Sequence, residues 1–587
     1  MCGIVGYKGK KNPKEFLLEG LKNLEYRGYD SAGVAFKDKK NVQIIRSVGK
    51  IACLEEKIKT MEVIDATMGI AHTRWATHGE PSVLNAHPHC VGKVTLVHNG
   101  IIENASQLKE KLISEGYLFN SETDTEVAAA LINKYYENDA LEAINKAIKE
   151  LRGSYAFGIL FENSDKLYAV RKDSPLIIGY GDEETYIASD IAAIINYTNK
   201  YSLLEENEVV EIGDEIIITK DGKKVEKEIL VATISADSKD KCGFEHYMLK
   251  EIMEEPVVLE KTLKPYIEDL SKLPDLTDYE EIHIVACGSA MYAGMIGKTL
   301  LEENVGLRVI CEVASEYRYK KIIYDRKTLV ILISQSGETA DTIAAMRKAK
   351  LAGIETLAVV NVVGSTIARE SGKQIFIEAG PEIAVATTKA YMLQVAILSL
   401  LAYKAACSKG YNNKDVMSEV KRLPGMVREI LDRRDDYKKI AQEIYKNDNL
   451  FFIGRKIDYA ISMEGSLKLK EVSYIHSEAY QAGELKHGTI SLIAEDVPVI
   501  AIITDASIKE KTISNVQEVK ARGAKCIIVS NEEISGYDEI VTVKKVSEFF
   551  QPLLVVPCLQ LIAYEVAKLK GCDIDKPKNL AKSVTVE

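Results

Sequence analysis

Val330-Ile331-Leu332-Ile333-Ser334-Gln335-Ser336-Gly337-Glu338-Thr339-Ala340-Asp341-Thr342 reads as a strand, a hydroxyl-rich turn and the first turn of a helix. An apolar, β-branched run that passes directly into helical periodicity marks a buried parallel strand and its covering helix. Similar runs occupy 282–286, 329–333, 356–360, 450–453, 499–503 and 526–529, most followed by a helical pattern. Two segments repeat at an offset of 170 residues. Ile331-Leu332-Ile333-Ser334 aligns with Ala501-Ile502-Ile503-Thr504, and Val359-Val360-Asn361 with Val529-Ser530-Asn531. The second part of the chain is therefore expected to hold two tandem α/β units.

Upstream the texture differs. Strand-like runs at 4–7, 32–35, 94–97 and 155–160 come in groups, with helical stretches at 126–136 and 140–151. This predicts an α+β layered unit ending near residue 235, where the polar stretch 235–241 breaks the pattern. A chain of 587 residues, 46% hydrophobic and 28% charged, has the composition of a globular protein of about four domain-sized units. The net charge of −11 and the lack of a long Lys/Arg block argue against a nucleic-acid binder. The most apolar stretch, 393–402, is shorter than the roughly 20 residues that cross a bilayer. No basic-then-apolar leader opens the sequence, and the ten cysteines lack regular spacing, as reduced cytosolic thiols would.

Cys2 carries the most chemistry. With the initiator Met removed, one residue holds a thiol and a free α-amine, so the amine can act as base for its own nucleophile, directly or through a water. A second-position Cys can also be incidental. Five of the nine histidines, at 72, 78, 87, 89 and 98, fall in one region, where only His87, His89 and Cys90 offer a zinc-like spacing, and no metal site is expected. Arg74, beside the chain's single tryptophan Trp75, suits a bidentate carboxylate grip. Asn99-Gly100 is either an ordinary turn or a pair of donors to an oxyanion. Asp124, expected just before a helix, is either its cap or a carboxylate for an ammonium.

In the second part, Ser334, Ser336 and Thr339 can cap a helix or cradle a phosphate. Glu464, Lys468 and Glu471 share a helix face, as a solvated salt-bridge ladder or as a carboxylate base beside an ammonium. His487 is a free-standing acid/base candidate. Lys582 in the aperiodic tail is either solvated or an imine-forming amine.

Met1-Cys2-Gly3-Ile4-Val5-Gly6, Tyr26–Gly33, His72–Pro81, His98–Asn104 and Thr123-Asp124-Thr125 resemble the N-terminal-nucleophile glutaminase domain of amidotransferases. The resemblance implies that Cys2 attacks the glutamine amide and that Asn99 and Gly100 form the oxyanion hole. It also implies that Arg74 and Asp124 clamp the glutamine α-carboxylate and α-amine, that Thr77 and His78 line the pocket, and that Trp75 gates ammonia. Ala286-Cys287-Gly288, 334–342, 464–471, Glu484–Gly488 and 579–587 resemble the sugar-isomerase half of the glucosamine-6-phosphate synthase family. The fold this implies is an α+β four-layer N-terminal-nucleophile domain followed by two tandem doubly wound parallel-sheet SIS domains. The expected limits are 2–235 for the glutaminase, 236–246 for a linker, 247–425 and 426–575 for the SIS domains, and 576–587 for an active-site tail.

The same resemblance implies that Ser334, Gln335, Ser336 and Thr339 bind the sugar phosphate, with Ser289, Val385, Thr387, Glu464 and Ala581 completing the sugar site. Glu471 would move a proton between C1 and C2 beside Lys468. His487, from a neighbouring subunit, would assist ring opening, and Lys582 would form the Schiff base. The expected substrates are glutamine and fructose 6-phosphate, in a cytoplasmic homodimer with no metal, organic cofactor, nucleic acid or membrane partner. The family's usual Thr-Ser reads Ser289-Ala290 here, removing one hydroxyl, and its Val-Ala-Ser reads Val385-Ala386-Thr387. The insertion that accompanies nucleotide-sugar feedback in animal and fungal relatives is missing. A phosphoribosyl amidotransferase would share the first half but show an acidic diphosphate loop in place of 334–342. A phosphosugar-sensing regulator would need no Cys2, Glu471 or Lys582 and would carry a basic helix-turn-helix.

Overall fold

Ile4 and Val5 point to opposite faces of one strand, and that alternation sets the layering of the amino-terminal unit. The computed structural model describes residues 2–39, 41–62, 64–76, 78–232, 241–413 and 415–585, so 235–240 of the expected boundary stretch lie outside the described residues. The chain divides into two compact units, Met1–Lys239 with Ser583–Glu587, and Asp240–Lys582.

In the first unit an eight-stranded sheet runs in the spatial order Leu230–Val231, Lys200–Leu203, Ile177–Tyr180, Thr185–Ala188, Gly3–Lys8, Met68–Arg74, Ser31–Lys37, Val42–Val48. A seven-stranded sheet follows Lys223–Lys224, Ile216–Lys220, Glu208–Ile212, Leu167–Lys172, Gly153–Phe161, Val94–Ile102, His89–Val91. Ile4, Ile70, Val97, Ala156, Leu160 and Ile187 form the core between the sheets. Val5, Ala71 and Val34 pack outward against helices Lys14–Leu24 and Ile51–Lys59. Leu96, Phe157 and Ile159 pack against helices Ala105–Ser114, Asp124–Tyr135 and Ala140–Glu150. Helix, sheet, sheet, helix is the expected four-layer arrangement, and each buried aliphatic side chain contributes about 1.5–3 kcal/mol to it.

Two local expectations change. The strand expected at 94–97 runs from Val94 to Ile102, paired throughout with Gly153–Phe161, so Asn99 and Gly100 lie inside a strand rather than in a turn. Thr123, not Asp124, caps the following helix, its hydroxyl accepting from the Glu126 N–H, because Asp124 is already the first helical residue.

The second unit contains two five-stranded parallel sheets. Their orders are Arg308–Val313, Glu281–Ala286, Thr328–Ser334, Glu355–Val360, Lys373–Phe376, and His476–Gln481, Asn449–Gly454, Pro498–Ile503, Lys525–Ser530, Glu539–Thr542. In both the sequence order is 2-1-3-4-5, so the repeat at offset 170 is a repeat of topology. The inner faces of both sheets and helices Tyr247–Glu268, Ser289–Val305, Lys389–Ser408, Ile457–Ser473 and Pro552–Leu569 share one core. The expected limit at 425/426 falls within helix Asp415–Asp432. The apolar stretch 393–402, expected to be too short for a bilayer, belongs to helix Lys389–Ser408, which with Pro552–Leu569 is long and apolar enough to cross a membrane; both helices are largely buried. The apolarity is spent on the protein core.

Candidate functional site

Cys2, half-buried, precedes strand Gly3–Lys8. Its Sγ accepts the Trp75 N–H at 3.3 Å and lies 3.5 Å from the Trp75 carbonyl oxygen. Burial raises the thiol pKa, while the Trp75 hydrogen bond and the Arg74 charge oppose that rise and Asp124 adds to it. A thiol kept neutral in this way needs a base before it can attack.

Asn99 donates its side-chain amide to the Cys2 carbonyl oxygen at 3.0 Å. Gly100 follows at φ 141°, and a Cβ there would stand 2.1 Å from the Ser154 carbonyl oxygen, so the position demands glycine. Arg74 ends strand Met68–Arg74 and donates to the carbonyls of His78, Gly79 (3.0 Å) and Glu80 (3.4 Å). Its fork thus shapes the 78–80 loop. Asp124 accepts the Ile102 N–H at 2.8 Å. The Trp75 ring meets Tyr29 edge-on at 6.1 Å. His78 is exposed, and Thr77 lies outside the described residues.

His72, His87, His89 and His98 are all buried, and burial lowers the pKa of each. His72 Nε2 meets His87 Nδ1 and the His98 carbonyl, His89 Nε2 meets Thr123 and His98 Nδ1 meets Thr125, while Cys90 is exposed. Among the described residues no group of three or more such side chains is arranged to hold a metal.

In the second unit the chemistry gathers where the first and third strands of the first sheet diverge. Open α/β sheets bind ligands beyond the carboxyl ends of the strands at this switch point. Ser334 ends strand Thr328–Ser334, its hydroxyl 2.9 Å from that of Thr339 and accepting the Gly337 N–H at 3.0 Å. Ser336 accepts the Glu338 N–H, and the Gln335 carbonyl accepts the Asn361 N–H. Thr339 precedes helix Ala340–Leu351 but its side chain makes no cap hydrogen bond. The hydroxyls thus line the turn at a helix start instead of closing the helix end, a geometry that suits a phosphate.

Ser289 opens helix Ser289–Val305 and donates to Glu464 at 3.0 Å, so its hydroxyl serves a carboxylate. Glu464 and Lys468 are buried, which excludes a solvated ladder. Lys468 lies 2.5 Å from Glu471 and 3.6 Å from Glu464. One ammonium between two carboxylates favours the nearer, and desolvation raises the Glu464 pKa to about 8, so it holds its proton.

Lys582 pairs with Glu382 at 2.5 Å, and the Glu382 charge also acts on Lys468. Thr387, expected to contact sugar, donates instead to Glu382 at 2.7 Å, and the Thr388 and Ala390 N–H groups donate to the same carboxylate. Val385 donates its N–H to the Asp575 carbonyl, and Ala581 is half-buried. His487 is exposed in the 3-10 turn Glu484–His487. Glu382 and Glu251, whose carboxylate accepts the Ile383 and Ala384 N–H groups, were not legible in the sequence. No local pattern marks either.

The second sheet has an equivalent crevice, and the chain fills it. Asp458 accepts the Thr504 N–H at 2.8 Å, the Thr504 hydroxyl and the Asp505 N–H at 3.3 Å. Thr504 is the repeat partner of Ser334, so the protein's own carboxylate sits against the second loop.

Two sequence families match the chain: the SIS domain over residues 275–404 and 443–567, and a glutamine amidotransferase domain over 80–196. It is 48% identical to the glutamine–fructose-6-phosphate aminotransferase (isomerising) of Clostridium tetani and 46% identical to that of Caldanaerobacter subterraneus, each over all of both chains. The chain belongs to the isomerising glutamine–fructose-6-phosphate aminotransferase family. The solved C-terminal domain of a glucosamine–fructose-6-phosphate aminotransferase from Francisella tularensis is similar to the chain with a TM-score of 0.53 at 35% identity, covering 57% of this chain and 99% of that one. The amidotransferase match lies within the first compact unit and both SIS matches lie within the second.

Proposed function

We propose that the chain takes ammonia from glutamine at Cys2 and delivers it to fructose 6-phosphate, yielding glutamate and glucosamine 6-phosphate without a metal or organic cofactor. With Met1 removed, the α-amine of Cys2 accepts the thiol proton and sulfur adds to the side-chain amide carbon. Asn99 and Gly100 receive the oxyanion, while Arg74 and Asp124 hold the glutamine α-carboxylate and α-ammonium. His78 lines that pocket and Trp75 gates the passage of ammonia. Collapse expels ammonia, and water then cleaves the thioester to glutamate.

Ser334, Gln335, Ser336 and Thr339 hold the sugar phosphate. Ser289, Val385, Ala581 and Glu464 border the sugar, and Thr387 acts through Glu382. His487 opens the ring across a subunit interface of a cytoplasmic homodimer. Lys582 condenses with the C2 carbonyl, losing water. Ammonia then displaces the lysine from that imine, and Glu471, beside Lys468, shifts the proton from C1 to C2.

The observation that carries this reading is the burial of the Lys582 amine beside Glu382, whose charge also reaches Lys468. The test is incubation with glutamine and fructose 6-phosphate, measuring both products. Equal amounts of glutamate and glucosamine 6-phosphate are expected; glutamate alone would refute the synthase half.

A further inference from the structure

His72 is fully buried on strand Met68–Arg74, opposite Ile4 on one neighbouring strand and Gly33 on the other. Its Nε2 lies 2.9 Å from the His98 carbonyl oxygen, 3.1 Å from Asn99 Oδ1 and 3.2 Å from His87 Nδ1. Its Nδ1 is buried with no hydrogen-bond partner among the described residues.

The partners decide where the protons are. Two carbonyl-type oxygens face Nε2, and such oxygens only accept, so Nε2 carries the ring proton. Burial holds the ring neutral, which leaves Nδ1 with its lone pair. Asn99 is then fixed too. Turning its amide over would set NH2 against N–H on one side and Oδ1 against the Cys2 carbonyl oxygen on the other, losing both hydrogen bonds.

We propose that His72 is a positioning residue for glutamine hydrolysis: its Nε2–H locks the Asn99 amide with NH2 directed at the Cys2 side of the site. The proposal rests on the reading of Cys2 and Asn99 given above. A donor aimed before the reaction needs no reorganisation when negative charge develops, whereas an amide free to flip presents an oxygen to that charge part of the time.

The test uses the full chain, comparing His72→Leu, His72→Asn, His72→Gln, Asn99→Ala and the His72→Leu/Asn99→Ala double variant in glutamate release. A glutamine side chain carries an N–H to the place of Nε2; leucine has none, and the shorter asparagine does not reach. Loss of a whole oxyanion donor costs about 10²–10³ in kcat, so a misdirected one should cost about 10- to 100-fold. His72→Leu and His72→Asn are expected to show that loss with the KM for glutamine within about threefold, and His72→Gln to recover most of it. In the Asn99→Ala background, His72→Leu should add less than about threefold, since coupled groups are not additive. Wild-type kcat in His72→Asn overturns the proposal, as do losses that multiply in the double variant. A His72→Gln as slow as His72→Asn, with Cys2 alkylated at the wild-type rate, overturns it as well. Undiminished glutamate release by Cys2→Ala would instead overturn the reading of the site itself.

Discussion

The ammonium of Lys582 lies 2.5 Å from the carboxylate of Glu382, with side-chain exposures of only 6% and 0%. Although burial works against it, Lys582 and the Thr388 and Ala390 N–H groups hold the Glu382 pKa down at about 2. Removing one member of a buried pair strands the other, typically at about 3–5 kcal/mol. Glu382→Ala should therefore destabilise the second unit by about 3 kcal/mol in urea unfolding and abolish amino-sugar formation. The stability Glu382 contributes is present above pH 4.5 and lost as pH falls towards 2.

Lys582→Arg separates pairing from chemistry. Guanidinium keeps its charge beside Glu382 but stays protonated, so it forms no imine. Stability and glutamate release should persist while glucosamine 6-phosphate falls below detection; measurable synthase activity would remove Lys582 from the mechanism.

Glu251 behaves oppositely to its neighbour. Burial and the Glu382 charge raise its pKa from 4.5 to about 8. Between those values the folded chain keeps a proton that the unfolded chain has released, so stability falls as pH rises, by up to about 1.4 kcal/mol per pH unit. Glu251→Gln, which still accepts from Ile383 and Ala384, should flatten the urea midpoint between pH 5 and 8. An unchanged slope would contradict this.

Asp458 stands in the crevice of the second sheet. Asp458→Ala leaves the Thr504 N–H and hydroxyl unpaired and should cost about 1–3 kcal/mol. The KM for fructose 6-phosphate should not move, because the Ser334 loop belongs to the other sheet. A raised KM would implicate the second crevice in substrate binding.

Cys2 tests the amino end. A variant that retains Met1 should lose glutamate release by at least about 100-fold, since the base for the neutral thiol is then an amide. Intact mass and glutaminase rate, read on the same sample, check it.

The parallel sheets were legible because a strand, its turn and its helix are local patterns, and the offset of 170 residues repeated them. The glutaminase motifs were legible for a similar reason: Cys2, Arg74 and Asn99 sit in short runs of distinctive order. Asn99-Gly100 was ambiguous because a strand of nine residues is recognised only through its pairing with Gly153–Phe161.

The sequence by itself determined the layered first unit and the tandem α/β pattern, since these follow from side-chain periodicity and turn chemistry. Only the tertiary structure decided which hydroxyl faces which carboxylate, that Glu382 receives Lys582 across 200 residues, that Asp458 occupies the second crevice and that His72 orients Asn99. Burial and charge pairing arise between segments distant in the chain, and those two forces set protonation and hydrogen-bond direction.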